Sequence, residues 1–226
     1  MNLEEHYNDL YSRSIKKISS DQYEIDHLIN ASTDNRFGIT LLIRPPIEVK
    51  NEIQKFINAL KIIEPNQYYY KNSDIHITIM SIISCYNGFN LNDIDISKYI
   101  ELIKESLIDI SNLKIKLKGV TASPSCLMIQ GFMSDESLNS IRNNLRDKFK
   151  NSNLQQSIDK RYSIQTAHST VVRFTEKLNQ KLKFLETIKA YKTYDFGTFN
   201  VKTIELVYND WYQKEKYVTN LFEFDV

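Results

Sequence analysis

The sequence of 226 residues lacks a strong charge of either sign, a long apolar run and a glycine-rich linker. Lysine and arginine number 29 against 28 aspartates and glutamates, a net charge of +1. This balance argues against a protein that coats long nucleic acid through a broad positive field. No apolar run approaches the roughly 18 residues of a membrane span, and the first residues lack the layout of a signal peptide. We therefore expect a cytoplasmic protein with no membrane partner.

Metal-binding patterns are also missing from the sequence. The two cysteines, Cys85 and Cys126, have no metal-type spacing, so free thiols in a cytoplasmic protein are the simplest interpretation. Zinc sites usually draw three or more ligands at recognisable local spacing, such as His-x-x-x-His, and none of the four histidines forms such a pair. We expect neither a metal nor another cofactor. A metallohydrolase with His76, His168 and Asp74 as ligands is the alternative, and activity in the presence of a chelator would exclude it.

The apolar residues predict helices alternating with strands. Residues 1–30 read as helical, and four further apolar stripes follow at helical spacing. These stripes are Val49, Ile53, Phe56, Ile57 and Leu60; Ile100, Ile103, Leu107 and Ile110; Leu138, Ile141, Leu145 and Phe149; and Leu178, Leu182, Leu185 and Ile188. Strands are predicted at 39–43, 73–80, 113–120, 126–132, 166–174, 199–209 and 217–224. Because several neighbouring strands read as hairpins, the order predicts an α+β sandwich with mixed sheets and not a doubly wound parallel sheet.

Two of the predicted strands carry the same motif, His-x-Thr. Side chains two apart on a strand point to the same face, so His76 and Thr78 share one face while the alternating isoleucines of "SDIHITIM" share the other. His168 and Thr170 repeat the arrangement in "TAHSTVV". The isoleucine face can pack under helices, which leaves the histidine face free to line a cleft. One such motif is common by chance, but two in matching strands are far less so.

Two histidines facing one cleft suit acid–base chemistry on a phosphodiester. One imidazole takes a proton from water or a ribose hydroxyl, and the other gives a proton to the leaving oxygen. An imidazole titrates near neutral pH, so both roles are open to it without large pKa tuning. A threonine hydroxyl beside each histidine can donate a hydrogen bond to a phosphate oxygen as charge builds up. This chemistry requires no metal.

The two motifs, "HITI" at 76–79 and "HSTVVR" at 168–173, resemble those of the two-histidine phosphoesterase superfamily. That superfamily includes the LigT-like RNA ligases and cyclic phosphodiesterases. The resemblance extends over residues 37–226, and the segment 204–224 resembles the family's final hairpin. It implies a bilobal α+β fold in which two related lobes, with mixed or antiparallel sheets, surround a central cleft and the helices lie outside. Residues 1–36 would form an N-terminal helical extension without a counterpart in the minimal family pattern.

The resemblance also implies a reaction and roles for the motif residues. The reaction is metal-independent cleavage or formation of bonds at a ribose 2′ position, often through a 2′,3′-cyclic phosphate. His76 and His168 would be the acid–base pair, and Thr78 and Thr170 the phosphate binders. Which histidine is the base stays open. The expected partner is a nucleotide or an RNA end, and a monomer is favoured.

Several substrates and one other class of function remain open. A 2′,3′-cyclic phosphate, a 2′–5′ linked nucleotide and a cyclic oligonucleotide messenger of phage–host conflict all fit the reaction type. The near-zero net charge favours a small nucleotide over long RNA. A protein that binds a nucleotide without turnover is the alternative from another class, and there the loss of both histidines would leave binding largely intact.

Residues outside the motifs complete the candidate site. A base can stack on Tyr86, Trp211 or Tyr212, which follow predicted strands, for a gain of about 1–3 kcal/mol per base. Arg44 flanks the first strand and is a candidate phosphate contact. Strand parity places Arg173 opposite the second motif, which favours a structural or rim role unless a bulge intervenes.

Asp74 lies two residues before the first motif histidine. It shares the parity of His76 and is a candidate to orient the imidazole, although a solvated residue at the strand edge is the favoured interpretation.

Overall fold

The computed structural model describes residues 2–108 and 112–226. No helix within those two ranges is long and apolar enough to cross a membrane. The α-helices are α1 (Leu3–Ser19), α2 (Ile47–Ile63), α3 (Ile96–Ser106), α4 (Ser137–Lys150) and α5 (Lys181–Ala190), with 3₁₀ turns at Leu91–Asp93 and Glu215–Tyr217. The strands are β1 (Arg36–Ile43), β2 (Tyr68–Tyr69), β3 (Ile77–Asn87), β4 (Lys114–Ala122), β5 (Cys126–Met133), β6 (Ser169–Arg173), β7 (Asp195–Asn200), β8 (Thr203–Asp210) and β9 (Thr219–Asp225).

The strands form two separate sheets. One has four strands in the order β3-β1-β8-β9, and the other has five in the order β2-β6-β5-β4-β7. All the strand pairs in the described ranges are antiparallel. Helix α1 contacts β4, α2 contacts β7 and α4 contacts β3. The α+β fold class predicted from the sequence is confirmed.

The two sheets contain related units. In the four-stranded sheet, β1 leads through α2 to β3, its antiparallel neighbour. In the five-stranded sheet, β5 leads through α4 to β6, again its antiparallel neighbour. His76 and His168 each immediately precede the second strand of their unit. The same local topology therefore places both motifs at equivalent points of the two lobes.

Burial from Ile75 to Ile79, at the start of β3, follows the alternation that the sequence predicts. Ile75, Ile77 and Ile79 are fully buried, while His76 and Thr78 are partly exposed. The strand runs to Asn87, well past the predicted end.

The N-terminal helix is shorter than the sequence predicts, because α1 ends at Ser19 and not near residue 30. The hydroxyls of Ser19 and Ser20 donate to backbone carbonyls four residues earlier, and Asp21 adopts a φ of 58°. Short polar side chains that bond locally and left-handed backbone both favour the end of a helix. The chain then runs across the body, where the Asp26 backbone N–H donates to the carbonyl of Phe174 at 2.7 Å.

The predicted strand 199–209 is two strands in different sheets. β7 pairs with β4 in the five-stranded sheet, whereas β8 pairs with β1 and β9 in the other. The crossing lies at Val201, whose N–H still donates to the carbonyl of Leu113 at 2.8 Å. Because residues 199–209 read as one continuous strand, the change of sheet was not predicted. The predicted β4–β5 and β8–β9 hairpins are both confirmed.

Two helix boundaries also differ from the apolar stripes. Helix α5 begins at Lys181, so Leu178 lies before it, where its N–H donates to the Tyr23 hydroxyl at 2.6 Å. Helix α3 ends at Ser106, and Ile110 lies outside the described residues.

Candidate active site

Both His-x-Thr motifs line one cavity of about 170 Å³. His76 and Thr78 reach it from the four-stranded sheet, and His168 and Thr170 from the five-stranded sheet. Although 92 positions separate the two motifs in the chain, the antiparallel units described above bring their four polar side chains to the same space.

The imidazole of His76 is held by the backbone. Its Nδ1 lies 2.7 Å from the carbonyl oxygen of Asp74. A carbonyl only accepts, so Nδ1 carries a proton in both the neutral and the charged ring, and any proton that His76 gains or loses moves through Nε2. The Asp74 carboxylate accepts from the Ser73 hydroxyl at 2.8 Å and from the Glu215 N–H at 3.0 Å. Asp74 is 3% exposed, so the favoured interpretation as a solvated edge residue is wrong.

The imidazole of His168 is held by a side chain. Its Nδ1 lies 2.7 Å from the hydroxyl oxygen of Thr166. A hydroxyl donates or accepts, so this contact suits either neutral tautomer of the ring. The backbone here is tightly packed against β5: a Cβ added to Gly131 would lie 1.8 Å from the carbonyl oxygen of Ala167. Only glycine lets the chain beside His168 approach β5 so closely.

Burial lowers the pKa of both imidazoles. The pKa of His76 falls to about 4, because burial disfavours the charged ring and the cations of Arg44 and Arg173 repel it, while the bond to the Asp74 carbonyl opposes the shift. The pKa of His168 also falls to about 4, through burial first and then repulsion by Arg142. Both rings are therefore neutral at pH 7 in the free protein, and an anionic phosphate would favour their charged forms.

Arg173 also lines this cavity, contrary to the prediction from strand parity. Between Thr170 and Val172, two steps on β6 face a single step on β5. Such a bulge adds one residue and reverses the alternation beyond it. The Nε of Arg173 donates to the Tyr70 hydroxyl at 3.1 Å, and its Nη1 lies 3.6 Å from the Asp26 carboxylate. The bulge thus brings a permanent positive charge to the motif histidines.

Two of the predicted base-stacking residues, Trp211 and Tyr212, line the cavity as well. The guanidinium carbons of Arg36 and Arg161 lie 4.7 Å and 4.2 Å from the centre of the Trp211 ring. Tyr212 is 2% exposed, and its hydroxyl donates to the Asp26 carboxylate at 2.8 Å. Tyr212 is a fixed wall of the cavity, and Trp211 is the more accessible ring.

The other two predicted substrate-binding residues, Arg44 and Tyr86, are not among the residues that line the cavity. The guanidinium of Arg44 donates from Nε to Glu205 at 2.9 Å and from Nη1 to the Ser73 carbonyl at 2.7 Å. These acceptors on neighbouring segments occupy the side chain, so Arg44 acts on the site only as a nearby charge. Tyr86 lies near the end of β3, where its hydroxyl accepts from the side-chain amide of Gln155 at 2.8 Å and its ring lies 5.6 Å from that of Phe89.

Sequence reasoning missed the contribution of the connection between α4 and β6. It was predicted as a polar loop, yet Ser157, Asp159, Arg161 and Tyr162 from this connection all line the cavity. The Ser157 N–H donates to the Ile82 carbonyl at 2.8 Å. This bond fixes the connection along the free edge of β3. Without it, the backbone groups on that edge would have no hydrogen-bond partner in the sheet. The polar composition of this connection does not indicate that it packs along β3 and lines the cavity.

Metal-ligating side chains do not cluster in the described ranges. Within residues 2–108 and 112–226, no group of three or more histidine, cysteine, aspartate or glutamate side chains is placed to hold a metal ion.

The chain resembles a curated phosphodiesterase in sequence and several solved structures in fold. No protein-family model matches it. The RNA 2′,3′-cyclic phosphodiesterase of Methanocaldococcus jannaschii is 28% identical over 176 residues, which cover 74% of this chain and 87% of that protein.

Solved structures share the fold at low sequence identity. The protein TT0787 of Thermus thermophilus matches with a TM-score of 0.59 and 14% identity, over 83% of this chain and 96% of its own. E. coli LigT, crystallised with 3′-AMP, matches with a TM-score of 0.54 and 12% identity, over 84% of this chain and 98% of its own. With two related lobes and a His-x-Thr motif in each, the chain fits the two-histidine phosphoesterase superfamily, as its motifs predicted.

Proposed function

We propose that this protein is a phosphodiesterase that hydrolyses a 2′,3′-cyclic phosphate at the end of a nucleotide or an RNA. The observation that carries the proposal is the meeting of His76, Thr78, His168 and Thr170 in one cavity. The curated relative, named as an RNA 2′,3′-cyclic phosphodiesterase, supports the same reaction class.

The two histidines divide the proton transfers. A water molecule attacks the cyclic phosphorus while one imidazole takes its proton, and the other imidazole gives a proton to the ribose oxygen that leaves. The phosphorus–oxygen bond of the ring breaks as the new one forms, leaving a phosphomonoester and a free hydroxyl. In both rings Nδ1 is engaged, by the Asp74 carbonyl in His76 and by the Thr166 hydroxyl in His168. Nε2 is therefore the nitrogen that faces the chemistry in each ring.

Three residues bind the phosphate and the charge that develops on it. Thr78 and Thr170 are partly exposed at the cavity, where their hydroxyls donate to the non-bridging oxygens. Arg173 supplies a cation that burial protects from screening by solvent. Since the histidines move the protons and these groups hold the charge, the reaction proceeds without a metal ion.

Trp211 binds the base. Arg36 is fixed on one face of the indole by two bonds of 2.8 Å to Asp34. Arg161 is exposed and makes no ion pair among the described residues. A nucleobase displaces Arg161 and stacks on the indole surface that Arg161 covers, with a gain of about 1–3 kcal/mol.

Turnover of a small substrate panel in EDTA tests this function. The panel contains a 2′,3′-cyclic mononucleotide, 2′–5′ oligoadenylate, a linear 3′–5′ dinucleotide and a cyclic dinucleotide, with His76→Ala and His168→Ala alongside wild type. His27→Ala is the matched control, because His27 is exposed and lies outside the cavity. We expect chelator-resistant cleavage of the cyclic mononucleotide that both motif variants lose and His27→Ala keeps.

Other outcomes would change the assignment. Cleavage of the cyclic dinucleotide alone would keep the mechanism and make the substrate a signalling oligonucleotide. Tight binding of one compound without turnover would make this a nucleotide-binding protein and overturn the acid–base roles of the histidines.

A further inference from the structure

A buried arginine lies between the two motif strands and has no part in the mechanism above. Arg142 of α4 has 0% of its surface exposed. Its Nε donates to the carbonyl of Ile79 at 3.1 Å, and its Nη2 donates to the carbonyls of Thr78 at 3.2 Å and Thr166 at 2.8 Å. One guanidinium thus bonds to the first motif and to the residue that holds the histidine of the second.

The surroundings of Arg142 are not those of a residue kept for stability alone. All three acceptors are backbone carbonyls, and no ion pair of the described residues includes Arg142. Its Nη1 is buried without a hydrogen-bond partner among those residues. Burial lowers its pKa to about 10, so it is still charged at neutral pH. Burying a cation without a counter-ion costs free energy that an apolar side chain of similar volume avoids.

The positions of the three hydrogen bonds indicate the role of Arg142. β3 is an edge strand of the four-stranded sheet, and Thr166 leads into β6 of the five-stranded sheet. The hydroxyl of Thr166 contacts His168 Nδ1, while its carbonyl accepts from Arg142. The planar guanidinium presents donors in a fixed geometry that a lysine ammonium does not reproduce. A rigid connection therefore crosses from one lobe to the other next to the reacting groups.

We propose that Arg142 is a positioning residue that fixes the spacing between the two His-x-Thr motifs across the boundary of the lobes. The proposal rests on the proposed function, since it concerns the alignment of the same acid–base pair. Arg142 touches no substrate atom; it acts through the backbone of Thr78 and through Thr166. Misplacement of reacting groups by about 1 Å costs on the order of a hundredfold in rate. A change in the spacing between the two histidines should therefore lower kcat more than it weakens substrate binding.

The charge of Arg142 provides a second readout. The groups that face His168 are His6 from α1, Arg142 from α4 and His76 across the cavity, and repulsion by Arg142 is one cause of its low pKa. Replacing Arg142 with an uncharged residue removes that repulsion, so the pKa of His168 should rise. That rise shows that the buried charge acts on His168, while the loss of kcat in Arg142→Lys, which keeps the charge, tests the positioning role.

The test compares Arg142→Met, Arg142→Lys and Leu145→Ala. Methionine keeps the apolar volume without donors or charge, and lysine keeps the charge without the planar geometry. Leu145 is fully buried on the same helix, and its side chain has no polar group that could bond to either motif, so Leu145→Ala controls for lost stability. The measurements are melting temperature, kcat and KM for a 2′,3′-cyclic mononucleotide, and an NMR titration of the histidine ring protons.

We expect Arg142→Met to lower kcat by about ten- to a hundredfold, with a smaller change in KM and a raised pKa of His168. Arg142→Lys should lose kcat but keep the low pKa. The proposal is overturned if Arg142→Met matches Leu145→Ala, with a lower melting temperature but unchanged kcat and unchanged titration. If Arg142→Met does not fold, full kcat in Arg142→Lys overturns the proposal. Absence of turnover in wild type would instead reject the proposed function, and the titration would still report on Arg142.

Discussion

The two motifs consist of the same residue types but are held in place differently. His76 precedes a strand of 11 residues that bulges against β1 between Thr78 and Met80, and a backbone carbonyl orients its ring. His168 precedes a strand of five residues with a bulge, and a threonine side chain orients its ring. The ring of the first motif is therefore oriented by a backbone carbonyl, which no side-chain substitution removes. The second depends on particular side chains and on close packing, so single substitutions should damage it more readily.

The largest expected effect is the loss of either histidine itself. His76→Ala and His168→Ala should each lower kcat by about 10²–10⁴-fold, the usual contribution of a general acid or base. The two rings act as a unit, so the double variant should lose little more than either single one. Steady-state kinetics measure this, with circular dichroism to check the fold. Additive losses would mean that the two rings act in separate steps.

The comparison is sharpened by two glycines in equivalent strands. A Cβ at Gly131 in β5 would lie 1.8 Å from the Ala167 carbonyl beside His168, and one at Gly38 in β1 would lie 2.2 Å from the Ile83 carbonyl, far along β3 from His76. Overpacking of this kind costs about 1–3 kcal/mol, so both alanine variants should unfold at lower denaturant concentration.

Only Gly131→Ala should also lower kcat, by about tenfold or more, because it displaces the backbone next to a catalytic ring. Denaturant unfolding measures the stability of both variants, and steady-state kinetics measure their kcat. Equal losses of kcat in the two glycine variants would show that the lobes respond alike and that the second motif is not the more vulnerable one.

A smaller effect is expected at the residue that orients His168. Thr166→Val removes the hydroxyl that contacts Nδ1 and should lower kcat by about tenfold, because an imidazole without its orienting partner is held less firmly in the productive geometry. Thr166→Ser restores the hydroxyl and should recover most of the rate. The first motif offers no counterpart, because its partner is a backbone carbonyl that no substitution removes. Failure of serine to rescue would indicate a packing role for Thr166.

The last prediction concerns the dependence of rate and stability on pH. Both folded pKa values are about 4, so kcat/KM, which reports the free enzyme, should fall as pH rises above that value. The bound phosphate raises both pKa values, so kcat should persist to higher pH. Pre-formed charged rings in the free enzyme would instead give a kcat/KM optimum near neutrality.

For stability, the unfolded histidines, with a pKa of about 6.5, bind more protons than the folded ones between about pH 6.5 and 4. Stability should therefore decrease as pH falls through that window. Thermal melts of wild type and of His168→Gln measure the contribution, and the glutamine variant should lose less on acidification.

The same contrast explains how much of the molecule the sequence predicts. Strict alternation in β3 predicted the exposed face of His76 and Thr78, because a period of two follows directly from strand geometry. It failed at Arg173, because a bulge depends on the register with β5, a partner that the local sequence does not reveal. It also failed at Val201, where the chain changes sheet within an apolar strand pattern.

Long-range contacts account for the other differences. Arg44 was a reasonable phosphate ligand until the fold placed Glu205 next to it. Asp74 looked solvated until the fold placed the Glu215 backbone N–H against its carboxylate. Arg142 lies in a helix with several basic residues, and only the approach of β3 and Thr166 shows that it is buried. Residue types and spacing therefore predicted the chemistry, while the partners of charged side chains required the tertiary structure.

The most direct test of the central claim is ³¹P NMR of a 2′,3′-cyclic mononucleotide incubated with the protein in EDTA. We expect the cyclic signal to be replaced by that of a single phosphomonoester, and His76→Ala and His168→Ala each to abolish the change. A cyclic signal that persists with wild type, or a product that still forms without either histidine, would contradict it.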